Sequence, residues 1–204
     1  MDMQASDFTV MATGQLESAD MPGVDNAYCK YSIVHGEDWR IIEGVEDGIT
    51  QVTRKSPSNP DSNLVWNFPL DITYKSTNPF GWPQMCLGIY GIDGLGRDVI
   101  KGYGCIHLPT APGSYTLRVR LYRPISSSLL QQWSSWFTGM AAEFTDPKFP
   151  ARGEGREVTR VTSTGTAFIK VNILTKDMGV FGYSEDGVLA SGATDITADG
   201  GRAI

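Results

Sequence analysis

Residues 64–74 read LVWNFPLDITY, a run that places an apolar residue at every second position. The apolar positions are Leu64, Trp66, Phe68, Leu70, Ile72 and Tyr74. Successive side chains of a β-strand point to opposite faces of the sheet, so the run predicts a strand with one face on a core. The other face, which carries Asn67 and Asp71, is expected to meet water or a partner.

The same alternation recurs along the chain and is clearest in residues 117–122 and 167–173. Weaker runs indicate further strands near residues 8–14, 28–35, 49–55, 85–90, 104–108 and 156–161. Turn-forming residues, such as those at 78–79 and 111–113, separate the runs. Short strands without long intervening helices predict an all-β fold, an antiparallel sandwich of about eight strands.

One segment has a different periodicity. Residues 126–137 read SSSLLQQWSSWF, with large apolar side chains three and four positions apart and serines suited to an N-cap. This pattern predicts a short amphipathic helix. Its tryptophans, Trp133 and Trp136, either close one end of the sandwich or form a docking face.

The chain is expected to fold as one domain. A length of 204 residues suits a single hydrophobic core. We assign residues 1–7 to an N-terminal tail and residues 8–178 to the domain. Residues 179–204 are rich in Gly, Ala, Ser and Asp and lack alternation, so we expect a disordered tail.

The composition argues against several classes of function. A net charge of −6 opposes nucleic acid as the main partner, because binding to phosphates needs clustered Lys and Arg. Cys29, Cys86 and Cys105 are far apart and form no CxxC pair, so neither a disulfide framework nor a zinc site is indicated. The first residues do not resemble a secretory signal, and no apolar run approaches a membrane span. We therefore expect a reduced, cytosolic protein.

Candidates for catalysis are scarce. The chain has two histidines, His35 and His107, and no Gly-x-Ser-x-Gly, so no hydrolytic triad is apparent. Too few loop carboxylates converge for a calcium site. The sequence predicts a protein that is not an enzyme and that has no cofactor or metal.

Paired arginines are the most promising binding residues. Arg118 and Arg120 share one face of a predicted strand, and Arg156 and Arg160 share a face of another. Guanidinium groups suit carboxylates and phosphates, so these faces could bind an acidic protein surface or an anionic lipid headgroup. The alternative is a solvated strand face whose cross-strand ion pairs contribute little energy.

A second candidate is Trp82, in the loop Pro79-Phe-Gly-Trp-Pro83. Proline restricts the backbone and glycine permits left-handed conformations, so the loop is expected to hold one shape at little entropic cost on binding. Tryptophan is favoured at the centre of interfaces. The alternative is a corner in which this indole packs under the sheet.

Six strings, taken together and in order, resemble the B9-domain family of ciliary transition-zone proteins. They are KSTNPFGWPQ at 75–84, GYG at 102–104, WFTG at 136–139, FTDPK at 144–148, GEGREVTR at 153–160 and TKDM at 175–178. The resemblance implies a sandwich like that of C2 domains. It also implies a place in a tectonic-like complex at the cilium base, beside other B9-domain proteins, where the assembly supports ciliogenesis and a diffusion barrier. C2 kinship suggests peripheral contact with anionic lipids, but the paired acidic loops of calcium-dependent members are missing. The family supplies no catalytic residues.

Overall fold

Strands dominate the computed structural model, which describes residues 7–59, 63–92, 96–124, 161–183 and 194–198. They are β1 Phe8–Asp20, β2 Asn26–Val34, β3 Trp39–Gly44, β4 Asp47–Ile49, β5 Thr53–Arg54, β6 Leu64–Ser76, β7 Gln84–Ile92, β8 Asp98–His107, β9 Gly113–Pro124, β10 Val161–Lys176 and β11 Thr194–Ala198. Within these ranges the helical structure is one 3₁₀ turn, Met178–Phe181. The predicted all-β, antiparallel class is confirmed.

The strands form a continuous curled sheet in the order β3-β6-β1-β10-β9-β8-β7-β2-β4, with β5 beside β2 and β11 beside β9. Between β8 and β9 the pairing reduces to Tyr103 opposite Tyr122. The sheet divides there into two halves that share one hydrophobic core, to which Ile89 of β7 and Ile169 of β10 both belong. This arrangement is a sandwich of two layers.

The alternation read from the sequence determines which side chains enter this core. In β6, Leu64, Trp66, Leu70, Ile72 and Tyr74 are buried, while Val65 and Asp71 between them are exposed. The indole N–H of Trp66 donates to the Ala27 carbonyl of the opposite layer at 3.2 Å. Burying a large apolar side chain stabilises the fold by about 1.5–3 kcal/mol, so the alternating residues dominate the energetics of the sandwich.

Several elements differ from their predictions. The strand predicted at 8–14 extends to Asp20. Its second half was not predicted because a bulge between Leu16 and Ser18 shifts the alternation. Residues 49–55, predicted as one strand, contain the last residue of β4 and the two-residue β5. β3 was not predicted, because Trp39 is its one buried residue and an edge strand shows no alternation. The predicted helix at 126–137 and residues 156–160 lie outside the described residues.

The C-terminal range holds regular structure that its composition did not indicate. The 3₁₀ turn places Phe181 against the core, and Ile196 of β11 packs there as well. The low overall hydrophobicity of this range gave no indication of Phe181 and Ile196, which both pack against the core.

In the ranges that the structure describes, no helix combines the length and the hydropathy that a membrane span requires.

Candidate protein-interaction surface

The loop that connects β6 to β7 is held in one conformation by hydrogen bonds. The Asn78 side chain accepts from the Phe80 N–H at 3.0 Å and donates to the Asp38 carboxylate at 3.0 Å. The Gly36 N–H donates to the Gly81 carbonyl at 2.8 Å. Gly81 has a φ of 71°, and a Cβ there would lie 2.5 Å from the Gly36 Cα. Glycine is therefore required where these two segments meet.

Two tryptophans anchor the loop from beneath. Trp39 is 3% exposed, and its indole N–H donates to the Phe80 carbonyl at 2.9 Å. The Trp82 indole donates to the Leu108 carbonyl at 2.9 Å and meets Trp39 edge-on, with ring centroids 5.0 Å apart. Tyr183 stacks on Trp82, with ring centroids 6.2 Å apart. The structure thus places Trp82 in a half-buried corner, and its role in binding a partner stays a prediction.

The corner continues into the core through a group of interlocked rings. The ring centroid of Phe8 lies 5.3 Å from that of Trp39 and 5.0 Å from that of Phe181, so the C-terminal turn closes this end of the sandwich. Burial, together with the nearby Glu46 carboxylate, raises the pKa of Tyr74 and keeps the phenol neutral. We call Phe8, Trp39, Tyr74, Trp82, Phe181 and Tyr183 the aromatic corner.

The loop presents Phe80 to solvent, with 82% of the residue exposed. The hydrogen bonds of Asn78 and Gly81 on either side fix the backbone that carries it. An aromatic side chain on a pre-ordered loop loses little conformational entropy on binding. We selected Trp82 from the sequence and missed Phe80. Phe80 could have been predicted from its neighbours, because the turn-forming Asn78-Pro79 and Gly81 place the residue between them at the tip of the loop.

Exposed aliphatic side chains also occur along β3, β4 and the segments that follow each of them. Their exposures lie between 40% and 65%, and we call this set the apolar edge: Ile41, Ile42, Val45, Ile49 and Val52. β3 and β4 are the two ends of the strand order. Open strand edges with apolar side chains favour association with other chains. The sequence did not indicate this feature, because period-two alternation stops at an edge strand.

The structure places Arg118 and Arg120 on the exposed face of β9, between buried Leu117, Val119 and Leu121. The Arg118 guanidinium pairs with the Asp195 carboxylate of β11 at 2.6 Å. Arg156 and Arg160 lie outside the described residues. The structure therefore describes the surroundings of one of the two predicted arginine pairs, and both pairs stay predicted binding residues.

A groove of about 600 Å³ opens beside the β1–β2 turn and is lined by both charged and hydroxyl side chains. Lys101 and Arg123 supply positive charge, Asp20 supplies a carboxylate, and Thr162 and Thr164 supply hydroxyls. The Thr164 hydroxyl is buried without a hydrogen-bond partner among the described residues. Such a group favours a polar ligand or a water. The described ranges contain no group of three His, Cys, Asp or Glu side chains that could hold a metal.

Comparison with known proteins adds sequence relationships to this geometry. Residues 10–174 match the family model B9-C2, described as "Ciliary basal body-associated, B9 protein". B9 domain-containing protein 1 of Xenopus laevis is 51% identical over 177 residues, which cover 87% of this chain and 89% of the relative. B9 domain-containing protein 2 of Danio rerio is 29% identical over 169 residues, with 83% and 94% covered. A C2 domain of plant Extended Synaptotagmin 1 aligns with a TM-score of 0.35 and 13% identity, covering 82% of this chain and 92% of that one.

Proposed function

This chain belongs to the B9 family of ciliary basal body-associated proteins, and we propose that it is a non-enzymatic scaffold subunit at the base of the cilium. It would work through contacts with other B9-domain proteins inside a tectonic-like complex of the transition zone. That assembly would support ciliogenesis and the diffusion barrier between ciliary and plasma membranes. The family match across residues 10–174 is the observation that carries the proposal.

The apolar edge and Phe80 support a scaffold role. Interface centres are poor in charge and rich in apolar and aromatic residues. Five exposed aliphatic side chains on β3, β4 and the segments that follow them, and an 82% exposed Phe80 on a rigid loop, fit that description. A stable heterodimer buries about 800 Å² on each partner, so the proposed interface must extend over both features.

Reconstitution tests the proposal directly. The full chain is mixed at micromolar concentration with B9 domain-containing protein 2 of the same organism, and the mass is measured by size exclusion with light scattering. We expect a complex whose mass is the sum of one copy of each. If the two proteins elute as separate monomers, and a third B9-domain protein does not join them, the scaffold proposal fails.

Substitutions then locate the interface. Ile42→Asp combined with Val45→Asp places two charges on the apolar edge and should weaken the heterocomplex at least about tenfold. Val65→Asp is the control matched to Val45→Asp alone, because Val65 is 47% exposed on the far part of β6. The control should bind as the native chain does. Equal affinity for both variants would place the interface elsewhere on the domain.

The groove beside β1 favours a second candidate, peripheral binding of anionic lipids. Lys101 and Arg123 lie next to threonine hydroxyls, a combination that suits a phosphorylated headgroup. Flotation with phosphatidylcholine vesicles containing phosphoinositides, at low salt and with or without calcium, tests this role. Binding should be independent of calcium and should be lost in Lys101→Glu with Arg123→Glu. Absence of flotation at low salt removes the candidate, because electrostatic attraction is strongest there.

A further inference from the structure

The two edges of β9 have different partners. β10 pairs with β9 from Gly113 to Pro124 along one edge. On the other edge, β8 reaches β9 only at Tyr122. Where the sheet halves separate, β11 takes the vacant stretch and pairs in parallel with residues 115–119. A piece of the C-terminal segment therefore completes the hydrogen bonding of a strand that the rest of the sandwich leaves half paired.

The seated segment shows what this edge recognises. Ile196 lies opposite Leu117 and packs against the core as a partly buried side chain. Asp195 lies opposite Thr116 and forms the 2.6 Å ion pair with Arg118 on the outer face. Thr194 and Thr197 are exposed. The edge thus selects an extended segment in which an acidic residue precedes a β-branched apolar residue.

Among the described residues, backbone pairing with residues 115–119 holds β11, and few of its side chains add to it. One partly buried isoleucine enters the core, and the Arg118 and Asp195 side chains remain 48% and 54% exposed. Ion pairs this exposed contribute little, while every residue ordered on docking loses backbone entropy. A segment of similar chemistry could form the same main-chain pairing, since strand addition relies on the backbone groups of the sheet edge.

We propose that the edge of β9 at residues 115–119 is a strand-docking site for an extended acidic–apolar segment of a partner protein. β11 occupies the site as a built-in competitor. Arg118 selects the acidic residue of the segment, and the surface around Leu117 receives the apolar residue. The inference goes beyond the scaffold role and stands independently of it, because it follows from the strand pairing of β9 and from the chemistry of the segment seated there.

A peptide of residues 191–200, labelled with a fluorophore, probes the site. It is titrated against the full native chain and against a full chain carrying Asp195→Ala and Ile196→Ala. The variant should bind at least about tenfold more tightly, because its own tail no longer competes for the edge. Equal affinities, or no binding to the folded variant at millimolar peptide, would overturn the proposal.

Charge reversal separates recognition from misfolding. In the weakened-tail variant, Arg118→Glu should weaken binding of the native peptide about fivefold, because two carboxylates then face each other, and a peptide carrying Asp195→Arg should restore it. Lys75→Glu is the matched control, since Lys75 is a partly exposed, ion-paired cation on β6, and it should leave peptide binding unchanged. Failure of the reversed peptide to rescue binding would remove the role assigned to Arg118.

Light scattering over a range of concentrations identifies the source of the docked strand. A native chain that stays monomeric is the result expected for a partner-docking site. Dimerisation that disappears in the weakened-tail variant would instead assign the edge to the tail of a second copy and would overturn the proposal of a separate partner. None of these three measurements requires another B9-domain protein, so failure here is distinguishable from failure of the scaffold proposal.

Discussion

Removing the indole of Trp39 should destabilise the fold more than removing that of Trp82, although the two rings are in contact. Trp39 is 3% exposed and donates to the Phe80 carbonyl, whereas Trp82 is only half-buried and donates to the Leu108 carbonyl. Both indoles make hydrogen bonds of 2.9 Å, so the difference between the two substitutions reports mainly on burial.

The magnitude follows from this comparison. Truncating a buried tryptophan to alanine costs about 3–5 kcal/mol, which sets the expectation for Trp39→Ala. Trp82→Ala removes less buried area and should cost about 2 kcal/mol at the usual cost per unit of apolar area. Trp39→Phe keeps one ring and loses the hydrogen bond, worth about 1 kcal/mol, together with some packing. Phe80→Ala changes an exposed side chain and should lie within about 0.5 kcal/mol of the native chain.

The assay is guanidinium unfolding at 25 °C, with scanning calorimetry as a second measurement. One kcal/mol corresponds to a shift in Tm of about 2–4 °C at this chain length, so Trp39→Ala should lower the Tm by about 6–20 °C. The slope of the denaturation curve should be unchanged, which separates lost packing from a changed unfolded state. A cost below about 1 kcal/mol for Trp39→Ala, or a larger cost for Trp82→Ala, would refute the view that Trp39 anchors the aromatic corner.

Three further outcomes follow from other parts of the fold. The raised pKa of Tyr74 keeps the folded phenol neutral where the unfolded one ionises, so the free energy of unfolding should fall above about pH 10. Above this pH, Tyr74→Phe should make the fall of the unfolding free energy with pH less steep by about 1.4 kcal/mol per pH unit. Urea titrations at several pH values measure this dependence, and an unchanged dependence would contradict its assignment to Tyr74. Gly44→Ala should cost more than about 2 kcal/mol in the same assay, because φ is 100° and the new Cβ would clash with the Asp71 carbonyl oxygen. Gly23→Ala, with a φ of 72° and open space, should cost about 1 kcal/mol, and equal costs would show that the clash is relieved. Burial raises the pKa of the Cys29 thiol, so iodoacetamide should modify the partly exposed Cys105 and spare Cys29, as mass spectrometry of the native protein will show.

The strands that form the centre of the sandwich could be predicted because one face of each is buried. Residues 64–74 alternate for this reason, and so do 117–122 and 167–173. Prediction failed where burial on one face is interrupted. β1 changes face at a bulge, and β3 places a single residue, Trp39, in the core. Local sequence carries no sign of either event, since both depend on which strand lies alongside.

The candidate surfaces show the same division between local pattern and spatial neighbours. Strand periodicity placed Arg118 and Arg120 on an outer face, and turn residues predicted that the loop at 79–83 is rigid. Sequence could not show that Trp82 turns inward while Phe80 turns outward, because the loop contains no periodic pattern. It also could not show that Asp195 meets Arg118, a contact between residues that are 77 positions apart.

From the sequence alone, then, follow the class of the fold, its core-facing residues and the family, because alternation and short strings are properties of neighbouring positions. The tertiary structure alone decided which strands became edges, which aromatic ring stayed exposed and which segment completed β9. Each of these depends on the curling of the sheet, which brings distant residues together and leaves others without a neighbour. Side chains of the same chemical type therefore acquire different roles according to their place in the sandwich.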